Sequence, residues 1–184
     1  MAEPPTLPPP REPGRRYRVA VVCLGNICRS PMADVVLADR IGRAGLDDAV
    51  EVVSSGTGGW HVGNPMDRRA AALLTAHGYD ATRHRAQQFD ADWFEDCDLI
   101  LAMDAGNYAD ITALGPGDRV AMFRDFDPRA GDHGAGDRDV PDPYYGGDDG
   151  FETVLAMVER TAASLVSALA GSTSGTGSTS QAAG

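Results

Sequence analysis

Two residues near the N-terminus of the sequence have the types and the spacing to do chemistry together. Cys23 ends an apolar run, and Arg29 follows it with five residues between them. A loop of this length between a strand and a helix can turn several backbone amides towards one point, where the helix dipole also favours negative charge. We therefore expect an anion site in which Arg29 binds two anion oxygens and the local field favours the Cys23 thiolate. A thiolate beneath a bound phosphate is a nucleophile.

The residues of this loop make the pattern specific. A Cys-x5-Arg spacing alone is weak, because a cysteine at the end of a strand is more often an inert buried thiol. The predicted phosphate-binding loop contains Leu24, Gly25, Asn26, Ile27, Cys28 and Ser30, with Pro31 next. This segment closely resembles the signature loop of the low-molecular-weight protein tyrosine phosphatases. The resemblance implies that Cys23 is the nucleophile and that Arg29 holds the phosphate.

The same family has a second signature nearer the C-terminus, an Asp-Pro followed by aromatic residues. Asp142-Pro143-Tyr144-Tyr145 matches it, so the resemblance implies that Asp142 is the general acid. Tyrosine leaves as a phenolate whose conjugate acid has a pKa of about 10, and protonation of the leaving oxygen therefore lowers the barrier. Without the cysteine loop, an Asp-Pro turn would be an ordinary loop feature.

Shorter matches at 54–60, 63–65 and 84–86 extend the resemblance over most of residues 17–170. By the family's pattern, Ser54 and His84 join Asn26 and Ser30 in a hydrogen-bond network that holds the loop, with Asn26 at positive φ. A tryptophan in this region could instead serve core packing. The expected aromatic walls around the substrate are Trp60, Tyr144 and Tyr145.

The three cysteines suggest different roles. Cys28 matches the family's second cysteine, which implies that it forms a disulfide with an oxidised Cys23 and protects it from irreversible oxidation. A purely structural role for Cys28 stays open. Cys97 precedes an apolar run and is interpreted as a core residue. An odd cysteine count without an apolar signal segment favours a reducing compartment, so we expect a cytoplasmic protein.

Composition excludes several classes of function. The 184 residues, 42% hydrophobic, fit one domain. Sixteen basic residues against 27 acidic ones give a net charge of −11, which argues against nucleic acid or an anionic membrane as a partner. No apolar run approaches the roughly 18 residues of a membrane span. The cysteines and four histidines lack metal-site spacing, and neither a metal nor another cofactor is expected.

Short β-branched runs must position the site. We predict strands at Arg18–Val22, Glu51–Val53, Leu99–Ala102 and Arg119–Met122. Since helical stretches separate these runs, the fold class is α/β, with a small, about four-stranded parallel sheet, helices on both faces and the phosphate loop after the first strand.

Three helices have recognisable ends. Ser30-Pro31 is typical of an N-cap followed by the first helical residue, and this helix extends to about Arg43. A second helix is predicted at 66–77 and ends at Gly78, which we expect at positive φ. A long amphipathic helix covers 151–169.

The chain divides into three parts by composition. Residues 1–16 are predicted as a Pro-rich disordered arm outside the fold, 17–170 as the phosphatase domain and 171–184 as a Gly/Ser/Thr-rich flexible tail. Eight aspartates between Asp125 and Asp149 predict a long, mobile, solvated loop around Asp142.

The residues and the resemblance together predict a phosphotyrosine-protein phosphatase. Its partners would be phosphotyrosine-containing proteins, with inorganic phosphate or another oxyanion as product or inhibitor, and a further partner is considered for the Pro-rich arm. A phosphoarginine phosphatase is one alternative, although the loops of those enzymes resemble this one with Thr at the position of Ile27. A thiol-dependent arsenate reductase would need a close pair of further cysteines, and only Cys97 is available. An inactive phosphopeptide-binding module predicts loss of the nucleophile or the acid, and both are present.

Overall fold

The fold is a four-stranded parallel sheet between two layers of helices. The structure, a computed structural model, describes residues 5–134 and 136–174. The strands are β1 (Tyr17–Cys23), β2 (Val50–Gly56), β3 (Leu99–Ala102) and β4 (Val120–Met122). The helices are α1 (Arg29–Arg43), α2 (Arg68–Ala76), α3 (Trp93–Asp96), α4 (Ala105–Thr112) and α5 (Asp148–Ser174), and a 3-10 helix spans Phe123–Phe126. The predicted fold class and the four strands are confirmed.

The order of the strands places a crevice at the end of β1. The sheet order is β2-β1-β3-β4, and all the pairings are parallel. The chain leaves β1 towards β2 on one side and then crosses to β3 on the other side. In open parallel sheets, ligands bind at the carboxyl ends of the strands where the order reverses in this way. Cys23, paired with Gly56 at the end of β1, lies at this point.

Apolar side chains cover both faces of the sheet. On one face α1, α2 and α5 contribute Met32, Val36, Leu74, Val154 and Leu165 to the larger core. On the other face Phe94 of α3 and Ile111 of α4 pack against Ala20, Val22 and Ile100 of the sheet. Cys97 belongs to this second core, as predicted. Gly78, which follows α2, has φ 85°, and this expectation is also confirmed.

The last helix, α5, is longer than the predicted 151–169 and contains a long apolar stretch. Within Asp148–Thr173, a window of 18 residues has a mean hydropathy of 1.3, so the helix is long and apolar enough to cross a membrane by length and composition alone. Its apolar residues are nevertheless buried within the protein, where Phe151, Val158 and Leu165 belong to the larger core. The helix also continues through Ser174, so the predicted tail at 171–184 begins too early, and residues 175–184 lie outside the described part of the chain.

Part of the N-terminal arm packs on the domain. The Arg11 backbone amide donates to Asp98 Oδ1 at 2.8 Å, and its guanidinium binds the carbonyls of Phe94 and Cys97. The Tyr17 hydroxyl donates to the Pro8 carbonyl at 2.9 Å. The prediction of an arm outside the fold is therefore wrong for this stretch. Prolines already hold the segment extended, so ordering it costs little entropy. Residues 1–4 lie outside the described part.

Candidate active site

The loop between β1 and α1 leaves the N-terminus of α1 open. Cys28 occupies the cap position and makes no side-chain capping bond. The prediction that Ser30 is the N-cap is wrong, because α1 begins at Arg29 and the buried Ser30 hydroxyl instead lies 3.0 Å from Cys23 Sγ. The first amides of a helix have no partner within the helix. An uncapped end beside a cysteine is therefore suited to an anion.

The carbonyl groups of the loop are bound from outside it. Residues that flank the loop in space donate to four of these carbonyls at 2.7–2.9 Å: Thr57 to Cys23, Gly58 to Leu24, His84 to Asn26 and Asp67 to Ile27. With its carbonyls directed outward, the loop presents its amides to the interior. This arrangement provides the inward-facing amides that an anion cradle requires.

Asn26 fixes the curvature of the loop. Its φ is 56°, and it has the one positive φ among non-glycine residues of the described chain. Its side-chain amide donates to Ser30 Oγ at 2.8 Å and to Ser54 Oγ at 3.1 Å, while its Oδ1 accepts from the Gln87 amide at 3.0 Å. These bonds offset the strain of the left-handed backbone. The predicted contacts of Asn26 with Ser30 and Ser54 are present, and Gln87 is an addition that the sequence did not indicate.

His84 and Gly56 support the loop from the β2 side. His84 Nε2 donates to the Asn26 carbonyl at 2.7 Å, and burial lowers the pKa of this imidazole, which favours the neutral ring. A Cβ on Gly56 would lie 2.7 Å from the Leu24 carbonyl oxygen and 3.0 Å from the Asn26 nitrogen. The loop can approach β2 this closely only because residue 56 has no side chain.

Cys23 lies beneath the cradle. The side chain is buried, and its Sγ is 3.3 Å from the Asn26 amide and 3.0 Å from the Ser30 hydroxyl. Both groups can donate a hydrogen bond to the sulfur. The thiol is free and faces the pocket.

Arg29 is held between two acidic residues. NH1 donates to Asp104 Oδ2 at 2.6 Å and to the Val140 carbonyl at 3.1 Å, and NH2 lies 3.6 Å from Asp142 Oδ2. Burial opposes the charge, but the negative charges of Cys23, Asp104 and Asp142 raise the pKa of Arg29 overall. Asp104 was not predicted, because an aspartate that caps a helix, here α4, is a common surface feature.

The pocket above Cys23 has a volume of about 350 Å³. It brings the predicted loop, acid and aromatic residues together: Cys23, Leu24, Gly25, Ile27, Cys28, Arg29, Trp60, Asp142, Tyr144 and Tyr145 all line it. His61 also lines the pocket and was not predicted. Trp60 is 72% exposed and Tyr145 91% exposed, so these rings form the outer rim, and the core role considered for Trp60 is wrong.

Arg69 holds the aromatic segment that follows Asp142. It donates to the Tyr144 carbonyl at 2.9 Å and lies 5.7 Å from the centre of the Tyr144 ring. Its ion pair with Asp67 connects this wall to the start of α2. Tyr144 is therefore fixed by a cation that the sequence analysis did not identify.

Cys28 lies in the pocket as a protonated thiol. Burial, followed by the negative charges of Asp67, Cys23 and Asp142, raises its pKa to about 12. Cys28 is free in this structure, as are Cys23 and Cys97.

The aspartate-rich segment before Asp142 is anchored to the domain. Asp127 and Asp137 form ion pairs with Arg124, whose side chain is 2% exposed. The prediction of a wholly mobile, solvated loop is therefore wrong for these residues. Their charges pair with the buried Arg124, which lies just before the aspartate-rich stretch and holds both side chains against the domain.

In this α/β protein, a cysteine beneath an amide cradle, with an arginine and a carboxylate beside it, forms a pocket whose donors are suited to an oxyanion. The family model described as low molecular weight phosphotyrosine protein phosphatase matches residues 18–174. The chain belongs to this family.

Individual relatives agree with the family match. A low molecular weight protein-tyrosine-phosphatase of Streptomyces coelicolor is 48% identical over 157 residues, which cover 83% of this chain and 93% of the relative. The crystal structure of YfkJ from Bacillus subtilis is 30% identical with a TM-score of 0.79, and the alignment covers 88% of this chain and 99% of that one. A Drosophila arginine phosphatase is also similar, at 28% identity and a TM-score of 0.73 over 81% of this chain and 95% of that one.

Proposed function

We propose that the protein hydrolyses phosphotyrosine in proteins through a phosphocysteine intermediate. The observation that carries this proposal is the position of Cys23 Sγ beneath the amide cradle, in a pocket that also contains Arg29 and Asp142. A phosphate monoester dianion fits such a cradle, because the loop amides and the guanidinium donate hydrogen bonds to its oxygens.

In the first step the Cys23 thiolate attacks phosphorus in line with the bond to the tyrosine oxygen. The S–P bond forms as the P–O bond breaks, while Arg29 and the loop amides hold the three equatorial oxygens. Asp142, protonated at the start, gives its proton to the leaving phenolate. The products of this step are the dephosphorylated tyrosine of the substrate protein, phosphocysteine and the Asp142 carboxylate.

In the second step water attacks the phosphocysteine. Asp142 accepts a proton from this water, the S–P bond breaks, and inorganic phosphate is released. The electron pair of the S–P bond returns to Cys23 Sγ. The Ser30 hydroxyl, 3.0 Å away, can donate to the sulfur as charge develops there. Both steps use residues of this chain alone.

The pocket favours an aryl phosphate over a phosphoguanidine or an alkyl phosphate. Trp60 and Tyr144 extend it outward from the buried cysteine, so a short phosphoserine would not bring its phosphorus to Sγ. Ile27 offers an apolar contact that suits an aromatic ring and leaves a guanidinium without a partner. Because an arginine phosphatase shares the fold, phosphoarginine is the second candidate substrate and has to be compared directly.

Two variants test the mechanism. Cys23→Ser should abolish turnover of p-nitrophenyl phosphate while retaining vanadate binding, since the cradle is formed by backbone and Arg29; residual activity above about 1% contradicts a covalent thiolate mechanism. In Asp142→Ala, kcat/KM should fall far more on phosphotyrosine than on 2,4-dinitrophenyl phosphate, whose leaving group needs no proton. Equal losses on the two substrates would exclude Asp142 as the acid.

A reducing compartment suits this chemistry, and we propose the cytoplasm as the location. Cys23, Cys28 and Cys97 are all free thiols, and the mechanism requires the first of them in reduced form.

A further inference from the structure

A cluster of four charged side chains lies behind the active site, between the 3-10 helix, α5 and the segment that leads to Asp142. Arg124 Nε donates to Asp127 Oδ2 at 2.9 Å, and its NH1 donates to Asp137 Oδ1 at 2.7 Å. Arg160 of α5 binds both oxygens of Asp127, at 2.6 and 2.8 Å. Arg124 and Asp127 are almost fully buried, and the cluster has two positive and two negative charges.

Arg124 also binds the backbone of the segment that carries Asp142. Its NH1 donates to the Asp139 carbonyl at 3.0 Å, in addition to the Asp137 side chain. The guanidinium thus connects a fixed base, formed by Asp127 and α5, to two points of the approaching chain. Asp139 has one further anchor, since its Oδ1 accepts from the Ala105 amide at 2.9 Å.

The residues that follow connect this segment to the active site. The Val140 amide donates to the Met103 carbonyl at 2.7 Å, and the Val140 carbonyl accepts from Arg29 at 3.1 Å. Only Pro141 separates Val140 from Asp142, and its ring restricts the backbone at that step. A displacement of the chain at 137–139 therefore moves the Asp142 carboxyl relative to Arg29, because the two residues between them and Asp142 have little conformational freedom.

We propose that Arg124 is a positioning residue for the general acid: its contacts with Asp137 and the Asp139 carbonyl set the distance of the Asp142 carboxyl from the leaving oxygen. This inference rests on the proposed function, in which Asp142 is the acid. Arg124 does not line the pocket and does not touch the phosphate cradle. Its loss should therefore weaken proton transfer without weakening phosphate binding.

The cluster allows Arg124 to be removed without leaving a buried charge unpaired. Burial opposes ionisation of Asp127, but hydrogen bonds from Arg160, the Arg129 amide and Arg124 lower its pKa to about 2. In an Arg124→Met variant the bidentate pair with Arg160 remains, and Asp137, partly exposed, can be solvated. The variant is therefore expected to fold.

The test compares two substrates with different leaving groups. A displacement of about 1 Å at a catalytic group costs up to about 100-fold, and an acid contributes about 100-fold or more. We expect Arg124→Met to lower kcat/KM, which reports only the steps up to formation of the phosphocysteine, by at least about tenfold on a phosphotyrosine peptide and by less than about twofold on 2,4-dinitrophenyl phosphate. The inhibition constant of vanadate should stay within about twofold, and in an Asp142→Ala background the substitution should have no further effect on kcat/KM.

Arg138→Met is the matched control. Arg138 belongs to the same segment and pairs with Asp125, but its side chain is 59% exposed and lies outside the cluster. We expect no selective loss in this variant. If Arg124→Met does not fold, as judged by circular dichroism, Asp137→Ala tests the same connection at a partly exposed position and should give the same selective loss of at least about threefold.

The outcomes separate this inference from the function on which it rests. A selective loss in Asp142→Ala but an equal loss on both substrates, or no loss, in the folded Arg124 or Asp137 variant overturns the positioning role alone. The absence of a selective loss in Asp142→Ala itself overturns both the acid assignment and the inference. A selective loss in Arg138→Met equal to that in Arg124→Met would also overturn the inference, because any change in the segment would then have the same effect.

Discussion

Replacement of Gly56 by alanine should displace the phosphate loop from the β2 side. The added Cβ would lie 2.7 Å from the Leu24 carbonyl oxygen, 3.0 Å from the Asn26 nitrogen and 3.0 Å from the Gly25 carbonyl carbon. Ordinary contacts between nonbonded heavy atoms are about 3.5 Å or longer. All three neighbours belong to loop backbone, so no side chain can rotate away, and the loop must move by about 0.5–1 Å.

This displacement predicts a clear loss of activity in a protein that still folds. A shift of about 1 Å costs up to about 100-fold in rate, so we expect kcat/KM on p-nitrophenyl phosphate to fall by roughly 10–100-fold. Overpacking at one site destabilises by about 1–3 kcal/mol, which a marginally stable domain can tolerate. Vanadate affinity should fall as well, because the amides that bind the oxyanion move together with the loop.

Steady-state kinetics, vanadate inhibition and urea unfolding measure the three quantities. Gly171→Ala is the control, because that glycine lies in α5 with open space around the position of the new Cβ; it should keep full activity and gain up to about 1 kcal/mol of stability. A folded Gly56→Ala variant whose kcat/KM and vanadate affinity both stay within twofold of the native values would refute this account of the loop.

Three further predictions concern Asp34 of α1, Cys28 and Ile27. Burial raises the pKa of Asp34 to about 7, with Ser54 as its hydrogen-bond partner; since the unfolded value is about 4, the native state binds more protons and loses stability as pH rises from about 4 to 7. In urea titrations, Asp34→Asn should therefore raise the free energy of unfolding by about 2 kcal/mol at pH 8.5 and leave it nearly unchanged near pH 4. The expected gain is below the limit of about 4 kcal/mol that the shift allows, because the side chain keeps some contact with solvent. Cys28→Ser should make inactivation by mild peroxide harder to reverse with thiol, and equal recovery in both proteins would assign Cys28 a structural role only. The native protein should prefer phosphotyrosine peptides to phosphoarginine peptides by roughly 10–100-fold in kcat/KM, Ile27→Thr should narrow this ratio, and a native preference for phosphoarginine would overturn the substrate assignment.

The sequence predicted those parts of the structure that depend on neighbouring residues. The strands and the loop from Cys23 to Arg29 could be located because apolar runs, short loops and helix starts are local patterns. The first turn of α1 was misjudged for the same reason. Ser30-Pro31 has the local pattern of a capped start, but the Ser30 hydroxyl is bound to Cys23 and Asn26 instead, a choice set by tertiary contacts.

The residues that the sequence missed act through partners far along the chain. Asp104 lies 75 positions from Arg29, and Gln87 lies 61 positions from Asn26. No periodicity or spacing connects such pairs. The aspartate-rich segment was misjudged for a related reason. Its count of acidic residues suggests solvation, but Asp127 and Asp137 pair with Arg124, which only the tertiary fold buries, and Asp127 also pairs with Arg160 of α5.

Because the N-terminus of α1 is uncapped, we expect phosphate to be a ligand of the folded state as well as the product of the proposed reaction. A helix without a side-chain cap loses about 1 kcal/mol relative to a capped one, and an oxyanion in the cradle supplies the missing acceptors. Because the unfolded chain has no cradle, phosphate at ten times its dissociation constant should add about 1.4 kcal/mol to the free energy of unfolding. The protein would then be most resistant to unfolding and proteolysis when its site is inhibited by product, so its lifetime in a cell would rise with the phosphate concentration while its turnover falls.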